Sequence, residues 1–345
     1  MSRWAVVLAG GTGSRFWPLS TPEKPKQLLP LVTEKPLLHD AVSRLRPLVD
    51  PQHTIVLTNT GLTKAIGTLL REIPQNNIIA EPQPVGTAAA LTWAALSIER
   101  RDGRNAVMIC VHADWAIADD ERFRETLLEA ERVALKTESL VTVGVVPTRP
   151  DPGFGYIQPT DVSGKPSVVK RFVEKPDRVR AEEMRNDGYL WNSGIFVWRV
   201  GDFLDEVDEH TPELAAALRH GRNGDASQFF GSVIMPVSVD VGILERSSKV
   251  MVVPGDFSWD DVGTWAALSR VRSKDEFGNV TTGDAHLLDC ADNVVHADSG
   301  QVVMYGVNDL VVVTKNGLTL VTTTDRASDL KRLIESLSAA ELERS

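Results

Sequence analysis

Sulfur is scarce in this chain: 345 residues hold two cysteines, Cys110 and Cys290, and no C-x-x-C pair. That excludes a disulfide framework and a thiolate metal site. Cys110 lies within the apolar run 106–111 and reads as a small buried hydrophobe rather than a nucleophile. No apolar run approaches the roughly 20 residues of a membrane-crossing helix, and the opening residues begin a strand without a signal-peptide layout. The cytoplasm is therefore the expected compartment, with no membrane partner. Basic blocks are missing too. Lys and Arg number 37 against 47 Asp and Glu, a net charge of −10, which argues against nucleic acid as a partner. No Ser-His-Asp, Cys-His or paired-carboxylate arrangement points to covalent or hydrolytic chemistry. No low-complexity stretch marks disorder before the last few residues.

The informative feature is a glycine turn. Leu8-Ala9-Gly10-Gly11-Thr12-Gly13 is followed by Ser14-Arg15-Phe16-Trp17-Pro18-Leu19 and then by Lys24-Pro25-Lys26-Gln27. The apolar run 4–9 reads as a buried strand feeding the turn. Without Cβ atoms, glycine backbone N–H groups can approach phosphate oxygens, and Arg15 and Lys26 add positive charge. This predicts a nucleoside triphosphate grip at the carboxyl end of a first parallel strand. A dinucleotide loop would want a third glycine where Phe16 stands, and a P-loop would want Lys-Ser or Lys-Thr after the glycines. A plain tight βα connection is the bland alternative, and the cations at 15 and 24–26 weigh against it. The loop resembles the signature of sugar-1-phosphate nucleotidylyltransferases. Phe16-Trp17-Pro18-Leu19-Ser20 resembles their mannose-1-phosphate guanylyltransferase branch.

Strand-like runs at 4–9, 54–58, 77–80, 106–111 and 140–145 alternate with helical periodicity at 37–48, 61–72, 87–100 and 121–136. The alternation predicts an α/β fold, a Rossmann-like, mostly parallel sheet. Residues 149–255 are expected to fold into the same domain as a substrate lip. From Asn279 the pattern changes to short β-rich pieces (285–288, 293–296, 301–305, 310–314, 318–321) eight to ten residues apart. A small C-terminal all-β, β-solenoid-like module is the expectation. A helix is expected at 327–337. The domains are accordingly 1–270, the nucleotidyltransferase catalytic domain, and 271–345, a β-rich module.

Three further groups carry chemistry. Asp114 follows the strand 106–111, where a carboxylate can hold Mg²⁺ on a triphosphate or simply cap a helix. Its counterpart is Asp261 in Trp259-Asp260-Asp261-Val262-Gly263-Thr264-Trp265, which reads equally as a turn between core tryptophans. The resemblance favours the metal reading, since the family carries an Ala-Asp after this strand and a Trp-x-Asp-x-Gly motif whose second Asp is a ligand. The branch usually reads Pro-Ala-Asp-His where this chain has His112-Ala113-Asp114-Trp115, so no role passes to Trp115, and His112 is expected to be structural.

Glu81 stands five residues before Gly86-Thr87. A carboxylate can accept the adjacent N1–H and 2-amino donors of guanine, with Gly86 and Thr87 offering backbone; an ordinary charged turn is the alternative. Gly155, Glu174, Lys175, Asn192 and Asp240 form the last group, with acceptors and donors for hydroxyls and one cation for a phosphate. In this order they look like the family's sugar site.

The resemblance spans essentially the whole chain. It implies transfer of GMP from GTP to α-D-mannose 1-phosphate, giving GDP-mannose and pyrophosphate. Mg²⁺ would be held by Asp114 and Asp261, with Arg15 and Lys26 as the catalytic cations. The nucleotide would be bound by Leu8, Ala9, Gly10, Gly11, Thr12, Gly13, Glu81, Gly86 and Thr87. Members with an appended isomerase cupin are longer, so isomerase activity is not expected. A different sugar 1-phosphate, such as a heptose 1-phosphate, or another nucleotide is the nearest rival. A non-catalytic GDP-mannose-binding regulatory subunit is another, although it would be expected to lack Arg15, Lys26 or an acidic ligand. A homodimer through the tail is expected, because Val302, Val303, Leu310, Val311, Val312 and Val313 exceed what so small a module can bury alone.

Overall fold

The computed structural model describes residues 1–11 and 14–338, so Thr12 and Gly13 of the glycine turn lie outside the described residues. Strands follow in chain order as β1 (Arg3–Leu8), β2 (Thr54–Asn59), β3 (Ile78–Glu81), β4 (Val107–His112), β5 (Ala116–Ile117), β6 (Leu140–Val145), β7 (Tyr156–Pro159) and β8 (Ser167–Val173). They continue as β9 (Leu190–Arg199), β10 (Val250–Gly255), β11 (Trp259–Asp260), β12 (Val280–Leu288), β13 (Val294–Tyr305), β14 (Leu310–Lys315) and β15 (Leu318–Thr323). Two compact units share them, and neither is continuous in sequence: residues 1–10, 42–112 and 119–257 form the first, and residues 11–41, 113–118 and 258 onward the second.

The first unit holds a nine-stranded sheet of order β3-β2-β1-β4-β9-β6-β10-β8-β7. Strands β1 to β4 pair in parallel, as the alternation of apolar runs and helices predicts. The expected mostly parallel sheet is nevertheless a mixed one. β9 runs antiparallel between β4 and β6, and β7 and β8 add an antiparallel edge. These three strands come from the stretch read as a lip. The short link between β7 and β8 contains no helix that could cross over, so that pair can only be antiparallel. The helix Thr87–Asp102 is apolar on nearly every side, with Ala88–Leu91 and Trp93–Leu96 all buried, and it forms the centre of this unit's core.

In the second unit β12, β13 and β14 pair in parallel and β15 closes the sheet antiparallel. The expected pieces 293–296 and 301–305 are one strand, β13. Its partner β12 shifts register at Gly283, where φ is +83° and a Cβ would lie 2.0 Å from the Ala297 carbonyl oxygen. Only glycine fits that corner. Buried Asn279 accepts from both the backbone and side-chain nitrogens of Asn293, at 3.0 and 2.9 Å. Asn293 in turn accepts from the Leu310 amide at 2.9 Å. These asparagines satisfy the backbone where side-by-side segments turn. One core joins Phe16, Trp17 and Leu19 to Val262, Trp265, Val294, Val311, Val313 and Leu320.

The premise behind the tail expectation therefore needs correcting. Val302, Val311, Val312 and Val313 are buried within the chain itself, because the sheet has a core on each of two faces; Val303 is 65% exposed. The expected terminal helix divides into a 3₁₀ turn, Arg326–Ser328, and a helix, Lys331–Ser336. Among the described residues no helix is long and apolar enough to cross a membrane.

Candidate active site

Two clusters contain the chemistry-bearing residues, one in each unit. In the second, Lys26 opens a short 3₁₀ helix and is 6% exposed. Its ammonium donates to Asp114 Oδ2 at 3.0 Å and to the Asp261 backbone carbonyl at 2.6 Å. Arg15 is exposed and donates to the Gly263 carbonyl at 3.3 Å.

The segment 259–265 is built to present Asp261. Asp260 is buried and held by Arg270 through two bonds of 2.6 and 2.9 Å, while its Oδ1 also accepts from the Val262 amide. Val262 is fully buried at φ +47°, a conformation a β-branched residue adopts only where the surroundings enforce it. A Cβ on Gly263 would stand 2.6 Å from Asp261 Oδ2, so glycine keeps room for that carboxylate. One Asp114 carboxylate oxygen and the Asp261 backbone carbonyl meet at the Lys26 ammonium, and hard oxygen donors of this kind suit a divalent cation of the Mg²⁺ or Ca²⁺ kind.

The first unit contains most of the other predicted residues. Leu8 ends β1, the Ala9 amide donates to Leu57 at 2.8 Å, and Thr58 Oγ1 donates to the Ala9 carbonyl at 3.2 Å. Among the described residues, a Cβ on Gly10 would come only within 3.8 Å of Glu81 Oε1, and one on Gly11, where the second unit begins, would meet nothing within 4 Å. Packing among the described residues therefore does not demand these glycines. Glu81 ends β3, and burial pushes its pKa up to about 7. Gly86 is confined more tightly, at φ +91° with a hypothetical Cβ 2.2 Å from the Val237 carbonyl oxygen. Thr87 Oγ1 accepts from the Val239 amide at 2.9 Å, so the start of this helix is stitched to the segment leading to Asp240.

Asp240 accepts from Asn192 Nδ2 at 2.7 Å. Burial raises its pKa, the Asn192 bond and His112 oppose that, and Glu174 adds to it. Asn192 is aimed there by a register shift in β9 opposite Gly144, and its amide donates to Gly155 at 2.8 Å. A Cβ on Gly155 would stand 2.7 Å from Glu174 Oε2. Lys175, at φ +42°, turns its ammonium back to Glu174 Oε1 at 2.6 Å. Gly155, Glu174, Lys175, Asn192 and Asp240 thus come together, with His112 at the end of β4 beside them.

Two residues here escape a reading of the sequence. Arg149 lies over Trp191 at 5.0 Å and Phe154 at 5.5 Å. The Glu245 pKa is raised by burial and by the nearby charges of Asp240 and Glu174. Neither belongs to a recognisable motif; both join the cluster only through the fold.

The nucleotidyl transferase family model matches residues 4–277. The chain belongs to the nucleotidyl transferase family. A second model, described as a mannoseP isomerase/GMP-like beta-helix domain, matches residues 283–337 of this nucleotidyltransferase. It is 37% identical to a mannose-1-phosphate guanylyltransferase of Klebsiella pneumoniae over 96% of its own length and 73% of that protein's. It is 33% identical to the alginate biosynthesis protein AlgA of Pseudomonas aeruginosa over 97% of its length and 72% of that protein's. Among solved structures, one from Thermus thermophilus, described as a mannose-1-phosphate geranyltransferase, superposes with a TM-score of 0.91 at 33% identity, covering 97% of this chain and 99% of that one. Nucleotidyl transferases generally use a divalent metal.

Proposed function

We propose that this nucleotidyltransferase transfers GMP from GTP to α-D-mannose 1-phosphate, releasing pyrophosphate and forming GDP-mannose. The observation that carries the reading is its 37% identity to a mannose-1-phosphate guanylyltransferase across nearly the whole chain. An oxygen of the sugar phosphate attacks the α-phosphorus of GTP in line. The bond from that phosphorus to the bridging oxygen breaks, and its electron pair leaves with pyrophosphate. Arg15 and Lys26 neutralise charge on the leaving group. Asp114 and Asp261 would hold Mg²⁺, which when bound supplies charge stabilisation at the phosphate oxygens.

Leu8, Ala9, Gly10 and Gly11 leave room for the nucleotide, and Glu81 accepts the two adjacent guanine donors. Gly86 and Thr87 fix the chain beside the base. Glu174, Asn192 and Asp240 receive the sugar hydroxyls, Gly155 gives Glu174 its room, and Lys175 takes the sugar phosphate by exchanging its bond to Glu174. Residues 1–270 do the chemistry. The tail reads as a short β-solenoid, supported by the asparagines that link Asn279, Asn293 and Leu310. A homodimer through the tail retains support from Val303, Tyr305 and Val321, which are 65%, 71% and 58% exposed on it. Pyrophosphate release measured over a matrix of nucleoside triphosphates and hexose 1-phosphates tests the assignment. GTP with mannose 1-phosphate is expected to be fastest; a faster heptose 1-phosphate or UTP reaction contradicts it.

A further inference from the structure

Lys315 lies in the β-rich tail, far along the sequence from the glycine turn and outside every motif that points to nucleotide chemistry. It is the last residue of β14, where Asn316 and Gly317, at φ +49° and +78°, turn the chain into β15. Asn-Gly is the pair such a hairpin demands, so the position of Lys315 is fixed by a two-residue turn.

From there its ammonium donates to the Pro18 carbonyl at 3.2 Å and to the Leu19 carbonyl at 3.4 Å. The preceding carbonyl, that of Trp17, accepts from Trp265 Nε1 at 3.0 Å. Three successive carbonyls just after Arg15 are thus held by side chains from residues 265 and 315. Phe16, between Arg15 and this segment, packs its ring 5.1 Å from that of Trp265. The amides of Leu19 and Ser20 both return to the Phe16 carbonyl, at 2.9 and 3.0 Å, closing the segment into a compact turn. A half-buried ammonium costs desolvation, and burial together with the charge of Lys24 pulls its pKa below the ordinary lysine value. Its two carbonyl partners and the nearby charge of Asp298 offset that cost.

We propose that Lys315 is a positioning residue for guanylyl transfer, acting through the Pro18 and Leu19 carbonyls to fix the segment that carries Arg15. This rests on the role assigned to Arg15 above, and it gives the tail a part in positioning that segment, while residues 1–270 do the chemistry. Lys315→Met keeps most of the aliphatic stem and removes the donors. In the full chain it is expected to lower kcat about tenfold, the scale of a lost charge-assisted hydrogen bond, with KM for GTP changed less. Lys315→Arg should restore most of the loss. Hydrogen exchange at the Leu19 and Ser20 amides should quicken in Lys315→Met while the amides of β1 and β4 stay protected. Combined with Arg15→Gln, Lys315→Met should cost little beyond Arg15→Gln alone.

Unchanged exchange at residues 19 and 20 overturns the proposal, as does quickened exchange with wild-type kcat. Losses that multiply in the double variant also overturn it, because the two residues then act independently. A normal Arg15→Gln enzyme would instead remove the assigned role of Arg15, and Lys315 is still judged by its own kcat and exchange.

Discussion

Selected acids of the two candidate clusters are held in different ways. In the second, acids are braced by cations: Asp114 by Lys26, and Asp260 by Arg270 in a two-bond clamp. In the first, Glu81, Asp240 and Glu245 are desolvated, and burial is the leading cause of each raised pKa. Braced acids are held in place, as phosphoryl-transfer chemistry requires. Acids whose desolvation outweighs their neighbours are poised to accept donors from a ligand, and they destabilise the free protein until one arrives. Under the proposed function, the contrast separates residues that move charge from residues that read shape.

The largest expected effect breaks the second unit's side of this contrast. Asp114→Asn and Asp261→Asn should each lower kcat by about a hundredfold or more while the melting temperature stays close to wild type, since a lost ligand removes several kcal/mol of transition-state stabilisation. Steady-state turnover at modest Mg²⁺, alongside a thermal melt, checks this. Next come the backbone constraints. Gly86→Ala forces a Cβ to 2.2 Å from the Val237 carbonyl oxygen and Gly283→Ala to 2.0 Å from that of Ala297, each at positive φ. Each should cost on the order of 2 kcal/mol or more in denaturant unfolding. Gly86→Ala should also raise KM for GTP.

A smaller effect concerns Glu81 and pH. Its folded pKa of about 7 lies above the ordinary 4.5, so the folded state binds more protons than the unfolded one between those values. Stability is therefore lost as pH rises through that window, and the cost is fully present above about pH 7. Glu81→Gln should be more stable than wild type at pH 8, by on the order of 2 kcal/mol, with the gap closing toward pH 4.5. Urea melts at the two pH values measure it. Smallest in turnover is Val303→Glu on the exposed face of the tail, which, under the proposed tail contact, should shift the light-scattering mass from dimer to monomer with kcat per chain almost unchanged.

What the sequence reveals follows from where the information lies. Strands β1 to β4 and β6 are contiguous apolar runs, so period and length locate them within a residue or two. The glycine turn, Asp114 and Asp261 are local motifs, legible for the same reason. β9 is hidden because Asn192, Ser193 and Gly194 interrupt its apolar run, and only the register shift opposite Gly144 explains polar residues there. The clamp of Arg270 on Asp260 and the reach of Lys315 to Pro18 depend on partners that no spacing rule connects. The Asn279 and Asn293 pair is readable in principle, as Gly-Asn-Val and Asp-Asn-Val fourteen residues apart, but the irregular strand spacing conceals it.

The sharpest test of this division of labour is the GTP-to-UTP ratio of kcat/KM, measured for wild type, Glu81→Gln and Asp261→Asn in one series. Glu81→Gln is expected to cut that ratio by about ten- to a hundredfold, because one guanine donor then faces an amide donor. Asp261→Asn should slow both nucleotides alike and leave the ratio near the wild-type value. A ratio unchanged in Glu81→Gln, or shifted as strongly in Asp261→Asn, would contradict the separation of reading from chemistry.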